Sequence, residues 1–197
     1  MISLIEALNF RSLRYINQPL SNFHVLVGPN ASGKTTFLDV VAFLGKFVTD
    51  GLDSAIEERT QNLQDLFWAR KGDKFELAIE AIIPKEVLSQ FPNGNYDRIR
   101  YEVSIGYDFE TKENTVFEEK VVLKNSQTDS DENSIVQREL FPSPIKPPRT
   151  IITSSPVKAG ERLIVKKSSI GRVTFYSETN KIANKGWMPS FSLGRIA

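Results

Sequence analysis

The sequence predicts an α/β fold in which a strand, a glycine-rich loop and a helix precede a substantial antiparallel β section. Two observations predict the first part: the apolar run "FHVLV" leads into "GPNASGKT" at residues 28–35, and an apolar helical stretch follows. A third predicts the rest, because apolar and polar residues alternate from residue 74 onward. A chain of 197 residues can bury one sizeable core, so two independent domains are not expected.

The amino-terminal third is predicted to contain three strands and two helical segments. Alternation and apolar content predict strands over "ISLIEALNF", "RSLRYINQPL" and "SNFHVLVG", of which the last should be buried. After the loop, "TTFLDVVAFLGKFV" is apolar on most sides and predicts a helix packed in the core. The next stretch, "TDGLDSAIEERTQNLQDLFW", has apolar residues near helical spacing, with Asp50 or Asp53 as a candidate cap.

The remainder of the chain is predicted to be mostly β. The stretches "KFELAIEAII", "RIRYEVSIGYDF" and "TVFEEKVVLK" predict an antiparallel meander, because their connections are too short for crossover helices. "RLIVKKS" and "GRVTFYSE" predict two more strands. We expect one domain over residues 1–197, in four parts: a loop-bearing core (about 1–70), the antiparallel section (about 71–124), an acidic and proline-rich connector (about 125–149), and closing strands with a tail (150–197).

Composition and the amino terminus indicate a cytoplasmic protein without a membrane partner. The chain has no cysteine, which excludes disulfides and thiolate zinc sites and fits a reducing compartment. The start, "MISLIEALNF", lacks the basic lead-in of a secretory signal. The longest apolar stretch, around "VVAFL", is far too short to span a bilayer.

The net charge of +1 hides an uneven distribution along the chain. Residues 51–137 hold ten Lys/Arg against eighteen Asp/Glu, whereas residues 138–197 hold eleven against three. Such asymmetry is typical of a surface for nucleic acid or an acidic partner, but the opposite charges can also pair with each other or face solvent. We favour the second interpretation, because no basic run exceeds two residues; Lys166 and Lys167 are then a solvated strand end.

The stretch "GPNASGKT" fits the phosphate-binding pattern G-x-x-x-x-G-K-[S/T] at every fixed position. The glycines let successive backbone N–H groups converge on phosphate oxygens, and Lys34 adds a flexible cation. The hydroxyl of Thr35 can ligate Mg²⁺, and the positive end of the following helix faces the anion. The pattern therefore predicts binding of a nucleotide together with Mg²⁺. The candidate binding residues are Gly28, Pro29, Asn30, Ala31, Ser32, Gly33, Lys34, Thr35 and Thr36, and Thr35 is the candidate metal ligand.

The sequence gives much less support for hydrolysis by this chain alone. Hydrolysis needs a carboxylate beside Mg²⁺ and a group that positions water. "SIGYDF" is nearest to a Walker B strand, but Gly106 interrupts it. A guanine-reading N-K-x-D motif is also absent, since "NKIA" and "NKGW" lack the aspartate. We identify no catalytic residue.

The opening "LNFRSLRYINQPLSNFHVLVGPNASGKTTFLDVVAFL" resembles the first lobe of ABC-type ATPases of the RecF, SMC and OLD group. That group includes ATPases of bacterial DNA repair and of anti-phage defence of the Septu kind. The resemblance rests on "NFRSL" some twenty residues before the loop, on Asn30 within it, and on antiparallel strands after the first helices. It implies a P-loop NTPase lobe of ABC-ATPase type. It also places Arg11 and Ser12 near the nucleotide, and Tyr15, just beyond them, is a candidate adenine contact.

In that group a second lobe supplies a serine–glycine signature, Walker B and a switch histidine, and two heads close on two ATP molecules. Here "SSIGR" and "FSLGR" echo a signature only superficially, and the single histidine, His24, lies in the predicted strand before the loop. Gln61 and Gln64 fit solvated helix positions better than a metal-contacting glutamine. We therefore expect an amino-terminal ATP-binding lobe, with the second lobe missing and little turnover alone. A head-to-head homodimer is expected for the full-length protein, with DNA or an effector protein as a further partner.

Two other functions stay open at this point. The same loop could belong to a stand-alone small-molecule kinase, although the chain lacks lid arginines and has a long antiparallel section. Alternatively, the nucleotide could only stabilise a non-catalytic interaction module whose residues 138–197 bind a partner.

Overall fold

A seven-stranded antiparallel sheet organises the computed structural model, which describes residues 1–88, 96–126, 146–154, 157–168 and 173–176. The strands are β1 Ile2–Phe10, β2 Leu13–Pro19, β3 Lys74–Ile82, β4 Arg98–Asp108, β5 Glu113–Lys124, β6 Glu161–Ser168 and β7 Val173–Phe175. Their order in the sheet is β2-β1-β3-β4-β5-β6-β7, so β3 to β5 form the predicted meander, β6 and β7 extend it, and β1 inserts between β2 and β3. Alternating side chains let each strand bury one face.

Helices fill the connection between β2 and β3. The predicted helix after the loop is confirmed as α1 Lys34–Asp50, and Gly51 ends it with φ 90°, a conformation that favours glycine. The next predicted helical stretch is shorter than expected, because only α2 Leu52–Glu57 and the 3₁₀ segments Leu63–Leu66 and Trp68–Arg70 form. A third helix, α3 Lys85–Leu88, follows β3.

The main core lies between α1 and one face of the sheet. Phe10 of β1, Phe43 of α1 and Phe75 of β3 are fully buried, and their ring centroids lie 5.1–5.7 Å apart. Such edge-on and tilted aromatic contacts add to the free energy that apolar burial supplies. Phe67, from the 3₁₀ region, packs on Phe75 and joins the same core.

The predicted buried strand over residues 21–28 is not formed. This segment carries no strand hydrogen bonds and is exposed throughout; Phe23 is 80% exposed and Val27 is 88% exposed. A strand needs neighbours for its N–H and C=O groups, and no strand within the described ranges pairs with it. His24, expected to be a core or satisfied polar residue, is exposed and lies 3.3 Å from the Ser21 hydroxyl.

The helix α1 is also less enclosed than its sequence predicts. One side packs on the sheet, but the opposite side is exposed along a stripe of mostly small or apolar residues. Leu38, for example, is 60% exposed. The stripe consists of Thr35, Leu38, Ala42, Gly45 and Thr49.

The sheet face away from α1, here called the outer face, is polar and yet buried. Glu6, Glu76, Glu80, Arg100 and Glu102 are each at most 7% exposed. A segment at residues 150–153, outside the strands, crosses this face and covers these charges. Buried charges need partners of opposite sign, and cross-strand pairs supply them.

Several sequence predictions lie outside the described residues. They are most of the acidic and proline-rich connector, the carboxyl-terminal tail, "SSIGR" beyond Ser168, and "FSLGR". Within the described ranges, no helix combines the length and hydropathy needed to cross a membrane.

Candidate functional site

The glycine-rich loop turns directly into α1. Gly33 is the N-cap with φ 91°, and Ala31 also has a left-handed backbone with φ 64°. The first helical bond runs from the Phe37 N–H to the Gly33 carbonyl, and no side chain caps the helix. The first N–H groups of α1 are therefore available to an anion, where the helix dipole also favours negative charge.

A Cβ at either loop glycine would lie close to a neighbouring side chain. A Cβ at Gly28 would lie 2.9 Å from the Ser32 hydroxyl, and one at Gly33 would lie 3.1 Å from the Leu13 side chain and 3.4 Å from the Ser12 hydroxyl. Gly33 also needs its positive φ, which other residues adopt with strain. Pro29, Asn30 and Ser32, between the glycines, are exposed.

The ammonium group of Lys34 lies at the bend of the loop. Its Nζ atom donates to the carbonyl oxygens of Gly28 and Pro29, both at 2.7 Å, and lies 3.4 Å from the Ser32 hydroxyl. The flexible side chain of Lys34 can move its ammonium group to a phosphate oxygen. The hydrogen bonds to the loop that it would then lose are partly exposed to solvent. The loop that leads into the uncapped helix start therefore also holds a cation.

Thr35 and Thr36 differ in their surroundings. Thr35 is exposed beside the loop, where its hydroxyl can contact a metal. The Thr36 hydroxyl accepts a 2.8 Å hydrogen bond from Ser12. Among the described residues, no group of three or more His, Asp or Glu is placed to hold a metal. The hydroxyl of Thr35 is an oxygen donor of the kind that Mg²⁺ accepts beside phosphates and water, and Thr35 as a metal ligand stays a prediction.

The "NFRS" element contacts the first turns of α1. The Arg11 guanidinium lies 2.6 Å from one oxygen of Asp39, whose other oxygen accepts from Arg59 at 2.8 Å. Arg59 is 8% exposed and covers the Phe43 ring, so Asp39 joins an exposed and a buried arginine. Direct contact of Arg11 or Ser12 with nucleotide stays a prediction.

Sequence reasoning missed Asp39 and Arg59. A signal for Asp39 was present, because residue 39 lies one helical turn after Thr35 and therefore on the same side of the helix. Arg59 carried no comparable signal, since it lies twenty positions further along the chain.

Tyr15 has different neighbours from those expected. It packs with Leu8, Ala78 and Ile151 on the outer face, and its hydroxyl donates to Glu6 at 3.1 Å. Burial, aided by the Glu6 carboxylate, raises the pKa of Tyr15 to about 12. We therefore leave Tyr15 out of the proposed nucleotide site.

Gln61, Gln64 and Trp68 lie in the segment that follows α2. Gln61 and Gln64 are exposed, the second of them in the first 3₁₀ segment, which matches the expectation of solvated positions. Trp68 is half-buried, with the Arg14 guanidinium 5.1 Å from its ring centroid.

A glycine-rich loop that opens a helix packed on an antiparallel sheet is characteristic of a nucleotide-binding domain. The family described as AAA ATPase domain matches residues 1–182, and the chain belongs to this family. The match confirms the predicted ATPase class. A solved structure from work on ATP-driven dimerisation and DNA-stimulated activation of SMC ATPases is similar, with 21% identity and a TM-score of 0.42, over 63% of this chain and 69% of that chain. No curated protein matches the chain.

Proposed function

We propose that residues 28–36 bind the phosphates of Mg²⁺–ATP. The observation that carries this proposal is that the Lys34 ammonium lies within the loop, 2.7 Å from two of its carbonyls, and that the loop leads directly into the uncapped start of α1. Backbone N–H groups and one cation form an anion site that fits a triphosphate. Bound Mg²⁺ would neutralise phosphate charge, with Thr35 as its protein ligand.

We also propose that a second lobe completes the ATPase. Phe23, Val25 and Val27 expose apolar side chains beside the loop, next to a helix whose outer stripe includes Leu38 and Ala42. Exposed apolar surface of this extent is typical of an interface. A sheet from the second lobe would pair with residues 21–27 as the missing strand and cover α1. Hydrolysis then requires that lobe and a head-to-head dimer, so this chain alone hydrolyses little ATP.

The biological setting follows only from the resemblance to RecF, SMC and OLD ATPases. We propose a cytoplasmic role in DNA repair or phage defence, with DNA or an effector protein as a partner.

The nucleotide proposal is tested by titrating Mg²⁺–ATP into the wild type and a Lys34→Ala variant in a calorimeter. We expect the variant to lose at least about a hundredfold in affinity, because a charge-assisted contact to phosphate disappears in a partly dry site. Lys46→Ala is the matched control, since Lys46 lies on the same helix and pairs only with Asp50 at the surface. Equal affinity of all three proteins would reject the proposal.

The second-lobe proposal is tested by charging the exposed segment. We expect Val25→Lys to leave the free energy of unfolding within about 0.5 kcal/mol of wild type, because Val25 is already 63% exposed. Binding of a hydrophobic dye should fall. Val40→Lys is the contrasting control, since Val40 is fully buried in α1. A loss in Val25→Lys as large as in Val40→Lys, measured by urea denaturation, would show that residues 21–27 are packed within this chain.

A further inference from the structure

The outer face holds residues 150–153, here called the strap, in an unusual way. The strap belongs to no strand, and it crosses the sheet with a bend at Ile152. Its main chain is bound by side chains of the strands. The Ile151 N–H donates to Glu76 at 2.7 Å, and the Thr153 N–H donates to Glu102 at 2.6 Å.

The carbonyl groups of the same two residues are bound by cations. Arg100 donates to the Ile151 carbonyl at 3.0 Å, and Lys120 donates to the Thr153 carbonyl. The sheet therefore presents a carboxylate for the N–H and a cation for the C=O of both residues. The bend between them is held within the strap, because the Ile152 N–H donates to the Thr150 hydroxyl at 3.1 Å.

The side chains of the strap make both polar and apolar contacts with the sheet. The hydroxyls of Thr150 and Thr153 donate to Glu76 and Glu102 at 2.8 and 3.0 Å. Between them, Ile151 packs against Leu8, Ala78 and Tyr15. The outer face thus binds main-chain groups of Ile151 and Thr153 and the threonine hydroxyls on either side of the two isoleucines. A surface that makes such contacts has the features of a peptide-binding site.

The binding groups do not depend on the strap for their own placement. Arg100 is fixed by Glu6, Glu80 and Glu102 at 2.7, 3.3 and 2.8 Å, all within the sheet. These ion pairs join β1, β3 and β4, which the sheet already places side by side. The site is thus pre-formed by the strands, whereas the strap adds only bonds to side chains.

We propose that the outer face is a binding site for a peptide of the form Thr-x-x-Thr, and that residues 150–153 are its resident ligand, which leaves and returns while the sheet stays folded. The proposal does not depend on nucleotide binding. The strap occupies the site through its covalent connection, which gives it a high effective concentration over any separate peptide.

The test uses the full chain and a fluorescent synthetic peptide spanning residues 148–154, "PRTIITS". The variant Ile151→Pro/Thr153→Pro removes both N–H donors from the strap but leaves the sheet side chains intact. We expect it to bind the peptide at least about tenfold more tightly than wild type, because its own strap no longer competes. The control Ser154→Pro keeps both N–H groups and should behave as wild type.

A peptide that carries N-methyl groups at the positions of Ile151 and Thr153 should not bind the variant. Equal binding of the plain and methylated peptides, or no binding by a variant with a wild-type circular dichroism spectrum, would overturn the proposal.

If the Ile151→Pro/Thr153→Pro variant fails to fold, hydrogen exchange on the wild-type chain tests whether the strap leaves the sheet. We expect the amides of Ile151 and Thr153 to exchange together, and faster than the amide of Val103 in the centre of β4. Exchange of all three at one common rate, set by global unfolding, would show that the strap is a fixed part of the core and would also overturn the proposal.

Discussion

Replacing Arg100 with leucine is expected to lower the free energy of unfolding by about 3–5 kcal/mol at neutral pH. The guanidinium lies among Glu6, Glu80 and Glu102, and each of these residues is at most 7% exposed. Leucine would leave three carboxylates in a dry site without the cation that joins them. Urea denaturation followed by circular dichroism measures the loss.

The contribution of Arg100 to stability should not change with its own titration at ordinary pH. Burial alone would lower the pKa of Arg100, but Glu6 and Glu102 raise it above its usual value. The wild-type cation therefore persists at every working pH, and the stability that it contributes would be lost only as the pH rises above the usual pKa of arginine.

The control for this experiment lies two residues away on the same strand. Arg98 is 37% exposed and reaches Glu80 only at 4.0 Å, so Arg98→Leu should cost less than about 1 kcal/mol. Similar losses in Arg98→Leu and Arg100→Leu would contradict the account.

Gly106→Ala is expected to be the most damaging small substitution, with a loss of about 3 kcal/mol or more. A Cβ at this position would lie 2.1 Å from the Asp73 carbonyl oxygen and 2.7 Å from the Phe117 ring. The backbone cannot withdraw easily, because the Tyr107 N–H donates to the same Asp73 carbonyl at 2.9 Å. Relief would require β3 and β4 to separate at their paired ends.

The matched control is Gly45→Ala, the same change made on α1. Nothing lies within 4 Å of a Cβ at Gly45, and alanine favours a helix over glycine by about 1 kcal/mol. Thermal unfolding of the two variants should therefore shift in opposite directions, Gly106→Ala downward and Gly45→Ala upward. A Gly106→Ala protein as stable as wild type would mean that β3 and β4 are less closely apposed than described.

The sequence predicted those parts of the fold whose signals are local. Alternation and apolar content identified β1, β2 and the five strands from β3 to β7, and the apolar helical pattern identified α1, because each pattern depends on a few consecutive residues. The same alternation could not predict the buried outer face. Glu76 and Glu102 look like solvent-facing residues until a segment some fifty or more positions away covers them.

For residues 21–28 the sequence predicted burial, whereas the structure shows an exposed segment. Its pattern is that of a buried strand, and the prediction of burial was wrong because burial requires neighbours that the described residues do not supply. In the site, the contiguous loop motif was readable from sequence. The Arg11–Asp39–Arg59 contacts were not, because folding brings them together from three separate elements.

The most direct test of the central claim is to record backbone amide NMR shifts while Mg²⁺–ATP is added to the wild-type chain. If residues 28–36 hold the phosphates, the largest changes should fall on Gly33, Lys34, Thr35 and Thr36, with smaller ones at Ser12 through its bond to Thr36. Unchanged amides from Gly28 to Thr36 at saturating nucleotide, or shifts confined to another surface, would contradict it.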